Sequence, residues 1–245
     1  MVLTFTALVE LFGSFVLLIL AYRFYQAYKE TKTVSSRLLL YFVGIFALYF
    51  FFDGFWILFF AENSFLLKLS VVNGVFFQSL SCAIIAFLGL YFLFPQINPS
   101  IGFLFIAILG IGTTALTIRV PFAPTLETVG VIKTIYWDEP SIIGFLQSII
   151  FLITFIPLSA SFLFQYQISK ITFLRIRGLG MFLVILLGLN AGVINFFLKS
   201  FLKLNPLSGD IALGLFSLFL FLVLLYFSFQ SESSKNNNLF KNVSK

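Results

Sequence analysis

The sequence predicts an all-α, polytopic membrane protein of seven transmembrane helices, with its N-terminus outside and its C-terminus in the cytoplasm. Three observations predict it. First, 60% of the 245 residues are hydrophobic and 10% are charged, where a soluble domain carries about 25% charged residues. The mean hydropathy of +1.09 calls for lipid in place of a single buried core. Second, the chain divides into seven apolar runs of about 20 residues or more, the length that crosses a ~30 Å hydrocarbon layer. Third, the 15 lysines and arginines divide unevenly between the links. Arg23, Lys29, Lys32, Arg37, Lys170, Arg175, Arg177, Lys235, Lys241 and Lys245 fall on one side, and Lys68, Arg119, Lys133, Lys199 and Lys203 on the other. Cytoplasmic links are the basic ones, and an odd number of spans puts the termini on opposite sides.

The first span covers about 3–25. It has no basic leader and is longer than the ~7–15 apolar residues of a signal peptide, so it is expected to stay as an anchor. The second, about 37–61, contains YFFFDGFWILFF (49–60), in which Asp53 is the one charge. The third, about 65–94, is long enough to tilt. The fourth covers about 100–119. The connection VPFAPTLETVGVIKTIYWDEP (120–140) places β-branched and aromatic residues on either side of Gly130, with prolines near both ends. It reads as a short β-hairpin over the external mouth, with Tyr136 and Trp137 at the interface. It serves either as a structural lid or as one that gates a ligand. The fifth span, about 141–166, carries Pro157 as a kink site. The sixth covers about 175–200 and the seventh about 208–230, which closes a transmembrane domain of residues 1–230. The tail 231–245, rich in Asn and Ser, reads as disordered and cytoplasmic.

Composition also excludes chemistries. The sequence has no histidine, so histidine-ligated metals, histidine-held haem and Ser-His-Asp catalysis are out. No cofactor is expected. Cys82 is the single cysteine; it forms no internal disulfide and reads as a small apolar filler. The formal charge of +6 follows from the basic cytoplasmic links, so no nucleic-acid partner is inferred; the expected environment is the bilayer of the cell membrane. The 37 phenylalanines fill lipid-facing and interhelical space. Gly188 and Gly192 are a small-xxx-small pair for helix packing. The seventh span has no lysine for a retinal Schiff base, and Pro95-Gln96 occurs once, after the third span, rather than in the first helix of a three-helix repeat.

The polar residues inside the spans are the functional candidates. Asp53 lies eight residues below the outer end of the second span, about 12 Å at 1.5 Å per residue. Glu10 reaches a similar depth on the neighbouring antiparallel helix. A charged carboxylate facing lipid at mid-bilayer costs at least ~2.5–3.5 kcal/mol, so both are expected to face the bundle interior or to be protonated. If they touch, they compete for one proton, and such a pair senses pH, moves protons or binds a cation; Lys68 or Lys199 could instead neutralise one of them. Asn73 and Gln78 of the third span, Gln147 of the fifth, Asn190 and Asn195 of the sixth and Asp210 of the seventh gather at the same outer level. The inner halves offer mainly hydroxyls such as Ser159 and Ser161, and tyrosines. This outward bias predicts a polar pocket open to the outside and roofed by the hairpin. The alternative for each amide is helix-to-helix glue, at about 0.6 kcal/mol per bond and up to ~1–2.

The span layout, the basic first link RFYQAYKETKTVSSR (23–37), the glycine-aromatic FFFDGFW (50–56) and RIRGLG (175–180) at the start of the sixth span together resemble the seven-span sensor region of bacterial histidine kinases. The likeness covers residues 3–230. It implies signal reception by the membrane region and output by a kinase, which for these 245 residues would be a separate cytoplasmic or membrane partner. The leading expectation is a sensor or receptor-like module. A transporter of a cation or small solute using Glu10 and Asp53, a lipid enzyme and a structural subunit of a membrane complex are the alternatives. The sequence leaves the oligomeric state open.

Overall fold

The structure, a computed structural model, describes the backbone of residues 2–243 and their side chains except those of 173–174 and 229–243. Among the described residues, seven helices are long and apolar enough to cross a membrane. The first, α1 (Phe5–Thr31), starts at Thr4, whose hydroxyl accepts from the Ala7 amide at 3.1 Å. It stops at Lys32, which turns the chain with a left-handed φ of 53°. Thr33 and Asn63 cap α2 (Val34–Phe60) and α3 (Ser64–Leu93) in the same way as Thr4. Pro99 precedes α4 (Ser100–Arg119), and Pro140 precedes α5 (Ser141–Ile168), where a missing N–H costs a helix start nothing. Pro157 lies within α5, which continues through it as a helix.

The sixth span is built in three pieces. α6 (Thr172–Gly192) passes into a π-helical segment (Val193–Leu198) and then into α7, a single turn (Lys199–Leu202). After Lys203, at φ 50°, α8 (Pro206–Val243) forms the seventh span. The tail expectation for 231–245 falls on positions whose side chains, or for 244–245 whole residues, lie outside the described set.

Between α4 and α5 runs the hairpin expected from the sequence. β1 (Thr125–Val129) pairs antiparallel with β2 (Ile132–Tyr136), in register from Thr125↔Tyr136 to Val129↔Ile132. Gly130 takes the turn at φ +64°, a conformation that suits glycine.

Six spans form a closed ring. α1 packs on α2 and α8, α2 on α3, α3 on α5, α5 on α6, and α6 on α8; α4 leans on α3 and α5 from outside. Phenylalanines serve both expected purposes. Phe51, Phe52, Phe55 and Phe59 are exposed on α2 toward lipid. Phe42 meets Phe155 and Phe46 meets Phe151 across the ring, with centroids 5.9 and 6.3 Å apart. Gly188 and Gly192 are packing glycines, lying against the rings of Phe216 and Phe151. Cys82 is fully buried among apolar neighbours, as a filler should be.

The hairpin sits on the ring's outer end. Ile135 is fully buried with Ala7, Ile57, Ala61 and Leu67, from the outer ends of α1, α2 and α3. Beside it a polar clip forms. The hydroxyls of Thr6 in α1 and Thr134 in β2 each donate to Asp210 Oδ2 of α8 at 2.7 Å. Thr6 Oγ1 also accepts from the Ile135 amide at 3.0 Å. One carboxylate therefore holds the hairpin to both terminal spans.

Candidate functional site

Under the hairpin lies a cavity of about 300 Å³. Its floor is made by α1, α2 and α3. Gly54 lets α1 and α2 approach closely, since a Cβ there would stand 3.0 Å from Glu10 Cβ and 2.9 Å from Leu11 Cγ. That contact brings Glu10 and Asp53 to the same wall, both nearly buried, at 5% and 8% exposure. The Ser70 hydroxyl of α3 donates to Asp53 Oδ1. Tyr49 and Gln78 complete this side.

The opposite side comes from the loop after β2, from α5 and from the sixth span: Trp137, Glu139, Gln147, Asn195 and Lys199. Gly144 brings α5 against the π-helical segment, where an added Cβ would collide with the Phe196 carbonyl oxygen. Gly209 of α8 makes room for the Asn195 side chain and for the stem of Lys199, whose Cδ would lie 3.5 Å from a Cβ there. Lys199 is thus drawn into the bundle, at 5% exposure. It lines the same cavity as Glu10, Asp53 and Glu139. Glu139 accepts from Gln147 Nε2 at 2.7 Å. Burial nevertheless raises the Glu139 carboxyl from its usual 4.5 to about 7, the Gln147 hydrogen bond and the Lys199 charge offsetting only part of the effect. Exposed Asp138 and Lys203 stand at the rim.

Of the residues singled out in the sequence, Glu10, Asp53, Gln78, Gln147 and Asn195 line this cavity. Asp210 lies beside it, engaged in the clip. Asn73 and Asn190 are exposed and outside the lining; Asn190 donates to the Leu186 carbonyl of its own helix at 2.8 Å. Lys68 is also elsewhere. Its ammonium donates to the carbonyl of Val120 at 2.8 Å and lies 4.9 Å from the Phe122 ring centroid, closing the end of α4. The structure adds Tyr49, Ser70 and Glu139, and brings Lys199, named in the sequence as a possible counter-charge to Glu10 or Asp53, into the lining.

A second, larger cavity of about 590 Å³ occupies the inner half of the ring. It is mostly apolar, with Leu17, Phe42, Phe155 and Phe216 among its walls, and reaches exposed Arg23 and Arg177 at the end opposite the hairpin. Glu10, Tyr49, Asn195 and Phe196 line both cavities and so form the wall between them. Among the described residues, no group of three or more Cys, Asp or Glu side chains is placed to hold a metal.

Comparison with protein-family models, with characterised proteins and with solved structures finds no match. The arrangement itself sets what the site can do. It offers carboxyls, an amine and amide and hydroxyl groups in a small recess under the hairpin, where a charged or dipolar solute exchanges water for fixed partners.

Proposed function

We propose that the protein is a receptor-like module of the cell membrane that captures a small polar ligand from outside and passes the event to a separate cytoplasmic or membrane partner. One observation carries the reading: the polar cavity ends on the wall of Glu10, Tyr49, Asn195 and Phe196, and an apolar chamber lies beyond it. A polar ligand that enters under the hairpin meets polar partners above the wall and a mostly apolar chamber below it, so the side it came from is the less costly exit. The resemblance to the sensor region of histidine kinases agrees with such a role.

Capture has two routes to an output. A ligand between the floor and the sixth span draws on Lys199, which follows the π-helical segment; such segments are frequent at functional sites. It also touches the loop held by Glu139, which continues into the hairpin clipped to α8. Trp137 lines the cavity and reports on it. In nanodiscs, the right solute changes Trp137 emission in a saturable way, and affinity purification from native membranes brings down a stoichiometric partner. Accumulation of that solute in proteoliposomes, above protein-free vesicles, overturns the receptor reading.

A second reading, transport, is favoured by the same wall. Four side chains separate an outer and an inner cavity within one ring, so their displacement would join the two into a path.

A further inference from the structure

Two atoms in the outer cavity lack what buried charged groups need. Glu10 Oε2 and Lys199 Nζ have no hydrogen-bond partner, and among the described residues no other buried side-chain nitrogen or oxygen is left in this condition. Both residues are 5% exposed and both line the cavity. A buried ionisable group left without a partner is costly, and the two are an acid and an amine on different walls. Glu10 shares its wall with Asp53, where Gly54 lets α1 and α2 approach closely. Lys199 lines the opposite wall with Glu139, Gln147 and Asn195.

We infer that the outer cavity takes a small zwitterion, with its ammonium at Glu10 and Asp53 and its acid group at Lys199. The inference rests on the reading of this cavity as a ligand site. A simple amine would satisfy the acids but bring a like charge toward Lys199. A simple carboxylate would meet Glu10, Asp53 and Glu139. A solute carrying both charges answers both walls and adds no net charge to a low-dielectric site, so the repulsive partner on each side sets specificity. The volume of about 300 Å³ lies at the small end of ligand pockets, which suits a compact skeleton of amino-acid size. Tyr49, Phe122, Trp137 and Phe196 supply aromatic faces for its apolar part and for the ammonium.

The test uses the full chain in nanodiscs, with the proteinogenic amino acids and glycine betaine as probes, followed by thermal unfolding. At least one probe in large excess raises Tm by about 5 °C. Its decarboxylated amine and its deaminated acid do not. Glu10→Gln and Lys199→Met each weaken the response about tenfold or more. An amine that matches its amino acid overturns the zwitterion in favour of a cation site, and an acid that matches does so in favour of an anion site. No response to any probe also overturns it. So does a Glu10→Gln/Lys199→Met double variant as stable as the parent while each single variant is destabilised, because the two charges would then serve each other. Failure of this inference is separable from failure of the receptor reading. A saturable Trp137 response to an uncharged solute, with no zwitterion bound, keeps the receptor and rejects the class. A zwitterion that binds and accumulates in proteoliposomes keeps the class and rejects the receptor.

Discussion

Gln147 donates a hydrogen bond to Glu139 at 2.7 Å, tying the loop after the hairpin to the second turn of α5. The bond is made to a carboxyl whose proton, with a pKa raised to about 7, stays on through mildly acid pH. Between about pH 4.5 and 7 the folded protein keeps this proton and the unfolded chain releases it, so the folded state binds more protons. Stability therefore falls as pH rises through that window and levels off above it. Glu139→Gln removes this share of the slope, about 2 kcal/mol once partial exposure is allowed for. Thermal unfolding from pH 4 to 8 checks it; parallel curves for parent and variant would assign the slope to other groups.

The clip at Asp210 is tested by opening it. Asp210→Ala leaves the hydroxyls of Thr6 and Thr134 without their acceptor, at a cost of about 1–3 kcal/mol. Trypsin added outside sealed vesicles should then cut after exposed Lys133 of β2 several-fold faster. An unchanged cutting rate would show that Ile135 alone holds the hairpin down.

Gly144 and Gly112 make a matched pair. A methyl at Gly144 runs into the Phe196 carbonyl oxygen and comes within 2.8 Å of Ser200 Oγ, whereas one at Gly112 meets nothing within 4 Å. Gly144→Ala should cost about 1–3 kcal/mol and Gly112→Ala should be neutral or stabilise by a few tenths to about 1 kcal/mol. Equal melting temperatures for the two variants would refute the close approach of α5 to the sixth span.

Orientation has its own readout. Cys82 is fully buried and gives a silent background. A cysteine in place of Val131, which is 97% exposed at the hairpin turn, should react with a membrane-impermeant maleimide on intact cells. One in place of Lys32, exposed between α1 and α2, should react only after the membrane is opened. The reverse pattern would invert the topology.

The spans were legible because lipid imposes one length and one polarity on all of them. The expected fourth span, 100–119, coincides with Ser100–Arg119, and the third, 65–94, with Ser64–Leu93 within a residue. The hairpin was legible from Gly130 and its β-branched flanks. Depth was legible too: Glu10, Asp53, Gln78, Gln147 and Asn195 do share one cavity. Direction around each helix was not. Counting residues from a span's end gives height in the membrane, and Asn73 and Asn190 have the right height on the wrong face. Lys199 was named only as a possible counter-charge to Glu10 or Asp53, and two causes kept it out of the site candidates. It stood at the counted end of its span, where a lysine usually reaches the headgroups. The π-helical stretch before it changes the residues per turn, so an α-helical count assigns its face wrongly. Glu139 was not singled out, because nothing local to the 120–140 connection announces that its last residues line the cavity.

The clip joins residues far apart in order of manufacture. Thr6 stands 204 positions before Asp210 and Thr134 stands 76 before it. At roughly 5–20 residues per second, the ribosome takes about 4–15 s to pass from the hairpin to the acid that secures it. During that interval the spans already inserted surround an unroofed recess open to one side of the membrane. The seventh helix completes the ring and fastens the roof in a single event, so a chain stalled before it would expose a polar recess that a finished one covers, a difference that quality-control machinery could read.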